Sequence, residues 1–345
     1  MSDLEFLISK REEILRDYLP SLIELEIEQE FEQNKIPRAL PDYYYLRFNI
    51  PAEDFKEEYY LLAFLKNELI GRGRINWRVK YEDQHIAFFT IYVRKPYRRK
   101  GFGSIILKKL IDLVPPQVEI LGADAYKNTP GIHFLKQLNA KIVLIDIVSV
   151  AEIRKLNKEK VLQEAQKQLE KTRDKGYEIV YIYNGEFEPF FDISKYILMI
   201  DRVVNDIPIE NRSLDTLKYS YERLREDIKY FLKFKSTSHL FPARHIETGD
   251  PVGLTFGVLN PYYPEVCYQD LTGVMYEHRG NGLGLAIKYQ LLAKLLEDTE
   301  ITLWATQNAS TNKHLLRINE ILGHKLWTEF DNFEIKKEDW MKLKD

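Results

Sequence analysis

Two stretches decide the fold: Arg98-Arg99-Lys100-Gly101-Phe102-Gly103 and Arg279-Gly280-Asn281-Gly282-Leu283-Gly284. Both follow the pattern R-x-x-G-x-G, and one lies in each half of the 345-residue chain. A pattern that recurs along one chain is typical of duplicated structural units. The length also accommodates two domains, each with a core of its own. The sequence therefore predicts two homologous units.

The surroundings of each glycine stretch show the same order of predicted elements. A strand rich in β-branched and aromatic residues precedes each one, over 87–93 and 267–275. Apolar residues then recur at helical spacing, and a second strand follows at 118–121 and 301–304. Each unit should run strand, glycine loop, helix, strand, polar turn, helix.

The repeat extends over whole domains. Strand pairs are predicted around the turn residues Lys66-Asn67-Glu68 and Thr248-Gly249-Asp250. Between the halves, 151–175 is charged, lacks proline and glycine, and spaces its apolar residues as a helix does. We therefore predict a first domain at 1–150, a connecting helix at 151–175 and a second domain at 176–345.

Composition excludes several function classes. Fifty basic and fifty-three acidic residues give a net charge of -3, so no global field holds nucleic acid or an anionic membrane surface. No stretch approaches the roughly 18 apolar residues of a membrane helix, and the N-terminus does not resemble a signal peptide. We expect a cytoplasmic protein with no nucleic-acid or membrane partner.

Metal and disulfide chemistry are also disfavoured. The single cysteine, Cys267, cannot form an intramolecular disulfide, and its position in a predicted strand indicates a buried core residue. The seven histidines are scattered without the spacing of a metal site. No metal is expected.

The glycine loops are suited to binding a phosphate group. The first N–H groups of a helix have no partner within it, and they carry a partial positive charge. An anion such as a pyrophosphate can therefore bind there, and glycine lets it approach the backbone closely. Basic residues beside the loops add charge-assisted contacts. The spacing does not fit a dinucleotide fingerprint or a nucleoside triphosphate loop.

The order strand, R-x-x-G-x-G, helix resembles the coenzyme A pyrophosphate loop of the GNAT N-acetyltransferases. The second half resembles tandem GNAT acetyltransferases more closely, through 269–274, 278–284 and 304–309. The resemblance implies an α/β (α+β) fold of two GNAT-like domains. Each would have a mixed, largely antiparallel sheet with splayed central strands, flanked by helices. It also implies acetyl-CoA as the acyl donor.

The resemblance also assigns residues. The loop amides would bind the pyrophosphate with the neighbouring basic side chains, backbone groups at the strand ends would pair with the pantetheine arm, and asparagines after the next strand would lie near the cofactor. In the first unit these residues are Tyr92, Val93, Arg98, Arg99, Lys100, Gly101, Phe102, Gly103, Ser104 and Asn128. In the second they are Val274, Met275, Arg279, Gly280, Asn281, Gly282, Leu283, Gly284, Leu285, Asn308 and Asn312.

Both units depart from the family in one respect. The family often places a tyrosine two helical turns after its asparagine, where it can protonate the departing thiolate. Here Leu135 and Asn319 stand at those positions, so no general acid is assigned.

A general base is predicted in the second unit only. Strand alternation would place Tyr268, Asp270, Thr272 and Val274 on one face, whereas the matching face of the first unit is apolar. Asp270 is therefore the candidate base or amine-orienting residue, and the alternative is that it only hydrogen-bonds the sheet.

These inferences converge on an N-acetyltransferase. We expect direct transfer of acetyl from acetyl-CoA to a primary amine of a small molecule or peptide, mainly in the C-terminal domain. The alternatives are a noncatalytic acyl-CoA-binding or regulatory protein and an aminoacyl-tRNA-dependent transferase. The latter is disfavoured because such enzymes need a broad basic surface for the tRNA, and because the chain carries two coenzyme loops. Neither acceptor identity nor oligomeric state can be read from the sequence.

Overall fold

The computed structural model describes residues 3–14, 16–33, 40–50, 56–186 and 191–343. The first part of the chain contains β1 (Leu4–Lys10), α1 (Leu19–Glu32), α2 (Pro41–Asn49), β2 (Lys56–Leu65), β3 (Glu68–Arg78), β4 (Ile86–Val93), α3 (Phe102–Ile111), β5 (Ile120–Tyr126), α4 (Pro130–Gln137) and β6 (Lys141–Glu152). None of the described helices has the length and apolar character that a membrane span requires.

The elements of the second part repeat this order with additions. They are α5 (Lys158–Asp174), β7 (Tyr177–Ile179), β8 (Ile182–Tyr183), α6 (Ile193–Asn205), α7 (Tyr221–Lys233), β9 (Thr237–Leu240), β10 (Ala243–His245), β11 (Pro251–Leu259), β12 (Val266–Val274), α8 (Leu283–Leu295), β13 (Leu303–Ala309), α9 (Lys313–Ile321), β14 (Lys325–Lys336) and α10 (Lys337–Trp340). The predicted α/β class is confirmed.

The chain divides into two compact units. Unit 1 comprises residues 1–145, 209–215 and 329–345, and unit 2 comprises 146–208 and 216–328. These units are not the contiguous halves predicted from the sequence. The reason is strand pairing: residues 146–152 of β6 pair with β13, and residues 330–336 of β14 pair with β5. Local patterns predict a strand, but they do not tell which sheet it joins.

Each unit contains a mixed, mainly antiparallel sheet. In unit 1 the strand order is β1-β2-β3-β4-β5, followed by the last part of β14, and only β4 and β5 are parallel. In unit 2 the last part of β6 is followed by β13-β12-β11-β10-β7, and β12 and β13 are parallel. The one parallel pair of each sheet follows from the helix that connects its strands.

Local sequence explains several boundaries. Lys66 and Asn67 both have positive φ in the tight turn between β2 and β3, as the predicted hairpin requires. The 151–175 segment is a strand end followed by α5, whose first turn is capped by the side chain of Asn157. Helix α5 packs against α8 within unit 2. The segment therefore belongs to a folded unit.

Two cores flank the sheet of each unit. In unit 1 one core lies between the sheet and α3, and the other lies beneath α1 and α2. In unit 2 the corresponding cores lie against α8 and beneath α6 and α7. Below, the α3 or α8 side is called the loop side, because those helices begin at the glycine loops. The opposite side is called the far side.

Candidate acyl-CoA sites

The two parallel strands of each unit separate part-way along their length. In unit 1 the pairing of β4 with β5 ends at Phe88 and Gly122. In unit 2 the pairing of β12 with β13 ends at Gln269 and Thr306. Beyond these pairs each strand presents backbone groups that no longer bond the other, so a linear amide ligand could complete their hydrogen bonding. The gap is the predicted splay.

Only some of the predicted backbone positions face the gap in unit 1. The Arg94 amide donates to the Ile70 carbonyl of β3 at 2.9 Å. Because backbone direction alternates along an antiparallel ladder, Tyr92 also directs its N–H and C=O toward β3. Val93 therefore points the other way, into the gap, and Tyr92 does not.

Unit 2 repeats this arrangement. The Met275 amide donates to the Val252 carbonyl at 2.8 Å, so it is already engaged with β11. Val274, one residue earlier, faces the gap. One backbone position per unit, and not two, is suited to pair with a ligand.

Both glycine loops have the backbone form of an anion nest. Arg99 and Gly101 have φ of 63° and 84°, and Gly280 and Gly282 have φ of 79° and 83°. Left-handed residues at alternate positions turn successive N–H groups toward one concavity. No atom lies within 4 Å of a Cβ built on Gly101, Gly280 or Gly282, so the concavity is open on that side. Gly101 and Gly282 cap α3 and α8.

The amides predicted to bind phosphate lie in these first turns. They belong to Phe102, Gly103 and Ser104 in unit 1, and to Leu283, Gly284 and Leu285 in unit 2. At the start of a helix these N–H groups have no intrahelical acceptor. Lys100 and Arg99 are exposed on the first loop, whereas Asn281 donates to the His278 carbonyl at 3.1 Å and supports the second.

The first arginine of the R-x-x-G-x-G pattern stabilises the loop in both units. Arg98 Nε donates to the Val93 carbonyl at 2.7 Å, and its two terminal nitrogens bond the Glu32 carboxylate at 2.6 and 2.5 Å. Arg279 Nε donates to the Val274 carbonyl at 2.9 Å, and Nη2 bonds Asp206 at 2.6 Å. The structure thus uses these arginines to tie each loop to the end of its strand.

A cavity of about 470 Å³ joins the loop and the gap in unit 1. Its walls come from the end of β4, the glycine loop, the start of α4 and three residues of β5, Ala123 to Ala125. Gln29 and Glu32 of α1 close the far side. A cavity that links an anion nest to parted strands fits a ligand with a phosphate end and a linear amide arm.

The predicted asparagines have three different placements. Asn128 is an exposed turn residue with φ of 65°, and its neighbours from Thr129 to Gly131 form the cavity wall instead. Asn312 caps α9 by accepting from the Leu315 amide at 3.3 Å. Asn308 accepts from Asn319 Nδ2 at 2.7 Å, inside unit 2.

Asp270 lies on the far side, at a β-bulge that changes the faces of the residues after it. Thr255 pairs with Thr272 and Gly257 with Gln269, so Asp270 and Leu271 together lie opposite the single residue between Thr255 and Gly257. The extra residue reverses the alternation. Leu271 packs on the far side, and Thr272 bonds Thr255 at 2.6 Å on the loop side.

The predicted shared face is therefore wrong for two of its members. Thr272 and Val274 lie on the loop side, where Val274 joins the core against α8. In unit 1, Thr90 occupies the position that corresponds to Asp270, because β4 has no bulge. Only unit 2 has a carboxylate at this point.

Asp270 has the properties of a proton acceptor. The surrounding protein disfavours its ionised form, and the carboxylate of Asp227 on α7 adds like-charge repulsion. Together they raise the pKa of Asp270 to about 6, although a bond from the Leu271 amide acts in the opposite direction. The residue remains solvent-exposed, so an acceptor molecule can reach it.

Asp227 and the bulge were not identified from the sequence. Asp227 lies in a helix far along the chain from Asp270, and only folding brings the two carboxylates together. Apolar residues recur at helical spacing in α7, which begins at Tyr221, after the cap Ser220. That run of apolar spacing did not reveal which polar residue faces the sheet.

Comparison with known proteins supports the same fold. Residues 19–139 match the model of the acetyltransferase (GNAT) family. A tandem GNAT protein from the clavulanic acid biosynthesis pathway aligns over 96% of this chain and 98% of its own, with a TM-score of 0.73 and 15% identity. The chain has the fold of a tandem GNAT protein. The predicted resemblance to tandem GNAT proteins and the predicted fold are confirmed. Members of the GNAT family transfer acyl groups from coenzyme A thioesters.

Two further solved structures share the fold over nearly the whole chain. A GCN5-related N-acetyltransferase from Sphaerobacter thermophilus aligns over 96% of this chain and 95% of its own, with a TM-score of 0.64 and 11% identity. A putative acetyltransferase from Pyrococcus horikoshii covers 98% of this chain and 90% of its own, with a TM-score of 0.53 and 14% identity. Among curated proteins, none matches the sequence significantly.

Proposed function

We propose that this tandem GNAT protein transfers acetyl from acetyl-CoA to a primary amine, and that the transfer takes place mainly in unit 2. The observation that carries the proposal is Asp270, a solvent-accessible carboxyl with a pKa of about 6 at the place where the strands part. A group with this pKa is ionised at neutral pH and can take a proton from an attacking ammonium group.

The residues of both units fit coenzyme A. The open nests at the starts of α3 and α8 would hold its pyrophosphate, and Val93 and Val274 would pair with its pantetheine arm. When bound, it supplies the activated acyl group as a thioester. The arginines of the two patterns contribute by fixing the loops, as their bonds to Glu32 and Asp206 indicate.

The transfer would be direct. Asp270 would accept a proton from the attacking ammonium, the amine nitrogen would attack the thioester carbonyl, and the carbon–sulfur bond would break with the sulfur leaving as the thiolate of coenzyme A. Cys267 does not suit a covalent intermediate, since it is fully buried on the loop side and burial raises the pKa of its thiol. An acyl-cysteine is therefore no part of the proposal.

Unit 1 is proposed to bind coenzyme A without efficient transfer. Its cavity is formed, but the position of the base is occupied by Thr90. This asymmetry also motivates the second candidate function, a noncatalytic acyl-CoA-binding or regulatory protein. The proposed acceptor is a small molecule or a peptide, with no nucleic acid or membrane partner.

A thiol-release assay over a panel of amines tests the proposal. We expect acetyl-CoA to be consumed with at least one amine and the rate to fall on Asp270→Asn substitution. Calorimetry with coenzyme A, run in parallel, separates the two candidates. Binding without release across amino acids, polyamines, aminoglycosides and peptides would support the noncatalytic protein and reject the transferase.

A further inference from the structure

A hydrogen-bonded pair of asparagines lies at the gap of unit 2. Asn308 of β13 is two residues beyond Thr306, where the pairing of β13 with β12 ends. Its Oδ1 accepts from Asn319 Nδ2 of α9 at 2.7 Å. Its own Nδ2 makes no hydrogen bond within the described part of the chain, and Asn308 is only half-buried. The side chain therefore offers N–H donors to a molecule that occupies the gap.

The interior of unit 2 fixes which end of each amide faces the gap. Lys288 is fully buried behind the pair, and its Nζ donates to Asn319 Oδ1. Burial lowers the pKa of Lys288 well below its usual value, and a neutral amine still has N–H groups to donate. Because this bond engages the oxygen of Asn319, the nitrogen of Asn319 points to Asn308. Asn308 accepts through its oxygen, and its nitrogen is left free for the gap.

The internal repeat provides a control for this arrangement. Strands β5 and β13 can be matched from their first residues, α4 and α9 from Leu138 and Leu322, and α3 and α8 from Gly101 and Gly282. The positions that match Asn308, Asn319 and Lys288 are then Ala125, Leu135 and Leu107, all in the apolar core of unit 1. The fold itself therefore does not require polar residues there.

The same control shows which of these residues border the ligand space. Ala125 and Leu135 line the 470 Å³ cavity of unit 1, whereas Leu107 is outside that lining. Their counterparts Asn308 and Asn319 therefore form a polar wall at the gap of unit 2. Lys288 stands behind this wall and acts on the gap only through Asn319.

The order of groups along the gap places the sulfur of an acyl-CoA near Asn308. A pyrophosphate in the nest after Val274 directs the arm back toward Gln269 and Thr306, where the strands join. Asp270 is one residue beyond this joining point, and Asn308 is two residues beyond it on the parallel strand. One residue advances a strand by about 3.3 Å. A carbonyl carbon attacked by an amine at Asp270 thus has its sulfur, which is nearer the nest, at the level of Asn308.

The two sides of the sheet separate the attacking group from the leaving group. Asp270 lies on the far side. Asn308 lies on the loop side, since it alternates in step with Trp304, which packs in the core against α8. When an amine adds to the thioester carbonyl from the far side, the other three substituents of the carbon bend toward the loop side. The sulfur therefore moves toward the Asn308 amide as it takes on negative charge.

A leaving thiolate benefits from a donor at this place. The tyrosine that the family often uses is absent, and Asn319 stands at its position. A neutral thioether-type sulfur is a weak hydrogen-bond acceptor, whereas a hydrogen bond to a charged group contributes more. A donor beside the sulfur therefore stabilises the transition state more than the bound thioester, which is the requirement for catalysis.

We propose that Asn308 is a catalytic residue of unit 2 that donates a hydrogen bond to the leaving sulfur, with Asn319 and Lys288 as positioning residues. This inference rests on the proposed transferase function. In the step, the ammonium gives one proton to Asp270, the nitrogen bonds the carbonyl carbon, and the carbon–sulfur electron pair moves to sulfur. The nitrogen loses its second proton to solvent as the amide forms. The thiolate accepts a hydrogen bond from Asn308 Nδ2, and no proton leaves Asn308.

Two variants separate the donor from the rest of the side chain. Asn308→Asp keeps the shape and an oxygen that accepts from Asn319, but it has no N–H group. Asn308→Ala introduces the residue found at the matching position of unit 1. Asn260→Ala is the matched control, because Asn260 is also a hydrogen-bonded asparagine of unit 2 and lies beyond the closed end of the gap. Each protein also carries Gly101→Ala, so that the titrated thiol is the one bound in unit 2.

Calorimetry first establishes that each protein binds coenzyme A. The thiol-release assay then gives kcat and KM, and thiolate absorbance gives the pKa of the bound thiol. We expect kcat to fall roughly 10- to 100-fold in both Asn308 variants, with KM for acetyl-CoA nearly unchanged. The pKa of the bound thiol should rise by roughly one unit or more, because a hydrogen bond to its ionised form is lost. Asn260→Ala should change neither quantity.

Contrary outcomes are distinguishable. Absence of thiol release with every amine in the wild type overturns the proposed function and this inference together. A folded Asn308 variant with the kcat of its parent, or with an unshifted pKa of the bound thiol, overturns this inference alone. If Asn308→Ala does not fold, Asn308→Asp gives the same comparison. A purely structural role for Asn308 is the conclusion if both variants lose stability while kcat and the thiol pKa stay at the values of the parent protein.

Discussion

Replacing Asp270 with asparagine removes the proposed base while nearly preserving the shape of the side chain. A base that transfers a proton in the rate-limiting step contributes roughly 10²- to 10⁴-fold, which corresponds to about 3–5 kcal/mol of activation free energy. We expect a loss of that size in kcat/KM for the amine, with coenzyme A binding unchanged. Purified wild-type and variant enzymes would be compared in the thiol-release assay.

The pH profile gives a second measure of the same residue. The pKa of Asp270 is raised to about 6, so the active ionised form is lost as pH falls through that value. The wild-type rate should therefore be roughly tenfold lower one pH unit below that pKa than on its plateau. In Asp270→Asn this acidic decline should be absent, because no carboxyl remains to titrate.

Asp227→Asn serves as the matched control for electrostatics. It removes the like charge that helps to raise the pKa of Asp270, so the acidic decline should move to lower pH. Desolvation by the surrounding protein is the larger cause and is unchanged, so the decline should stay above the ordinary pKa of an aspartate. Wild-type turnover and an unaltered pH profile in Asp270→Asn would refute the assignment and leave the residue a role in the sheet only.

Three further predictions follow from individual positions. Gly282→Ala places a Cβ beside the nest of unit 2 at a residue with φ of 83°, and it should abolish coenzyme A binding in that unit and most of the turnover. Gly101→Ala should abolish coenzyme A binding in unit 1 without stopping turnover. Gly249→Ala, in a hairpin turn at φ of 70° with equally open space, carries similar strain and should leave both calorimetric sites intact. Glu58→Gln should lower the free energy of unfolding, measured by chemical denaturation, by roughly 3–5 kcal/mol. The substitution leaves three arginines around a buried site without their carboxylate. An unchanged free energy of unfolding would contradict this prediction. Cys267→Ala should retain acetyl transfer, and its inactivity would instead favour an acyl-cysteine.

Stability should also depend on pH through Glu58. Burial alone would raise the pKa of its carboxyl, but Arg74 and the other nearby cations outweigh that effect and lower it. A carboxyl with a lowered folded-state pKa stabilises the native protein above its unfolded pKa. This stabilisation is lost as pH falls through the pKa that the carboxyl has in the folded protein. Glu58→Gln should therefore flatten the acid side of the stability profile.

Much of the fold could be predicted because its signals are local. The glycines at 101 and 282 are needed where the chain takes a left-handed turn before a helix, and the strands beside them have recognisable composition. The hairpin at Lys66 and Asn67 follows from the same kind of local preference. The repeat of these signals identified two GNAT-like units without reference to any contact between distant residues.

The directions of side chains were harder to predict from the sequence than the fold. Strict alternation correctly separated Asp270 from Cys267, but it misplaced Thr272 and Val274, because a single bulge residue reverses the faces of a strand. The first arginine of each pattern was expected on phosphate, yet its partners Glu32 and Asp206 come from helices far away in the sequence. Such pairings cannot be read from spacing.

The sequence by itself determined the duplicated unit, the position of each glycine turn and the presence of a carboxylate in one copy only. These depend on backbone conformations that a few neighbouring residues impose. The tertiary structure alone decided which sheet each final strand joins, how Asp227 raises the pKa of Asp270, and that Lys288 meets Asn319 inside the second unit. Desolvation and charge proximity arise only when residues distant along the chain are packed together, so no local pattern encodes them.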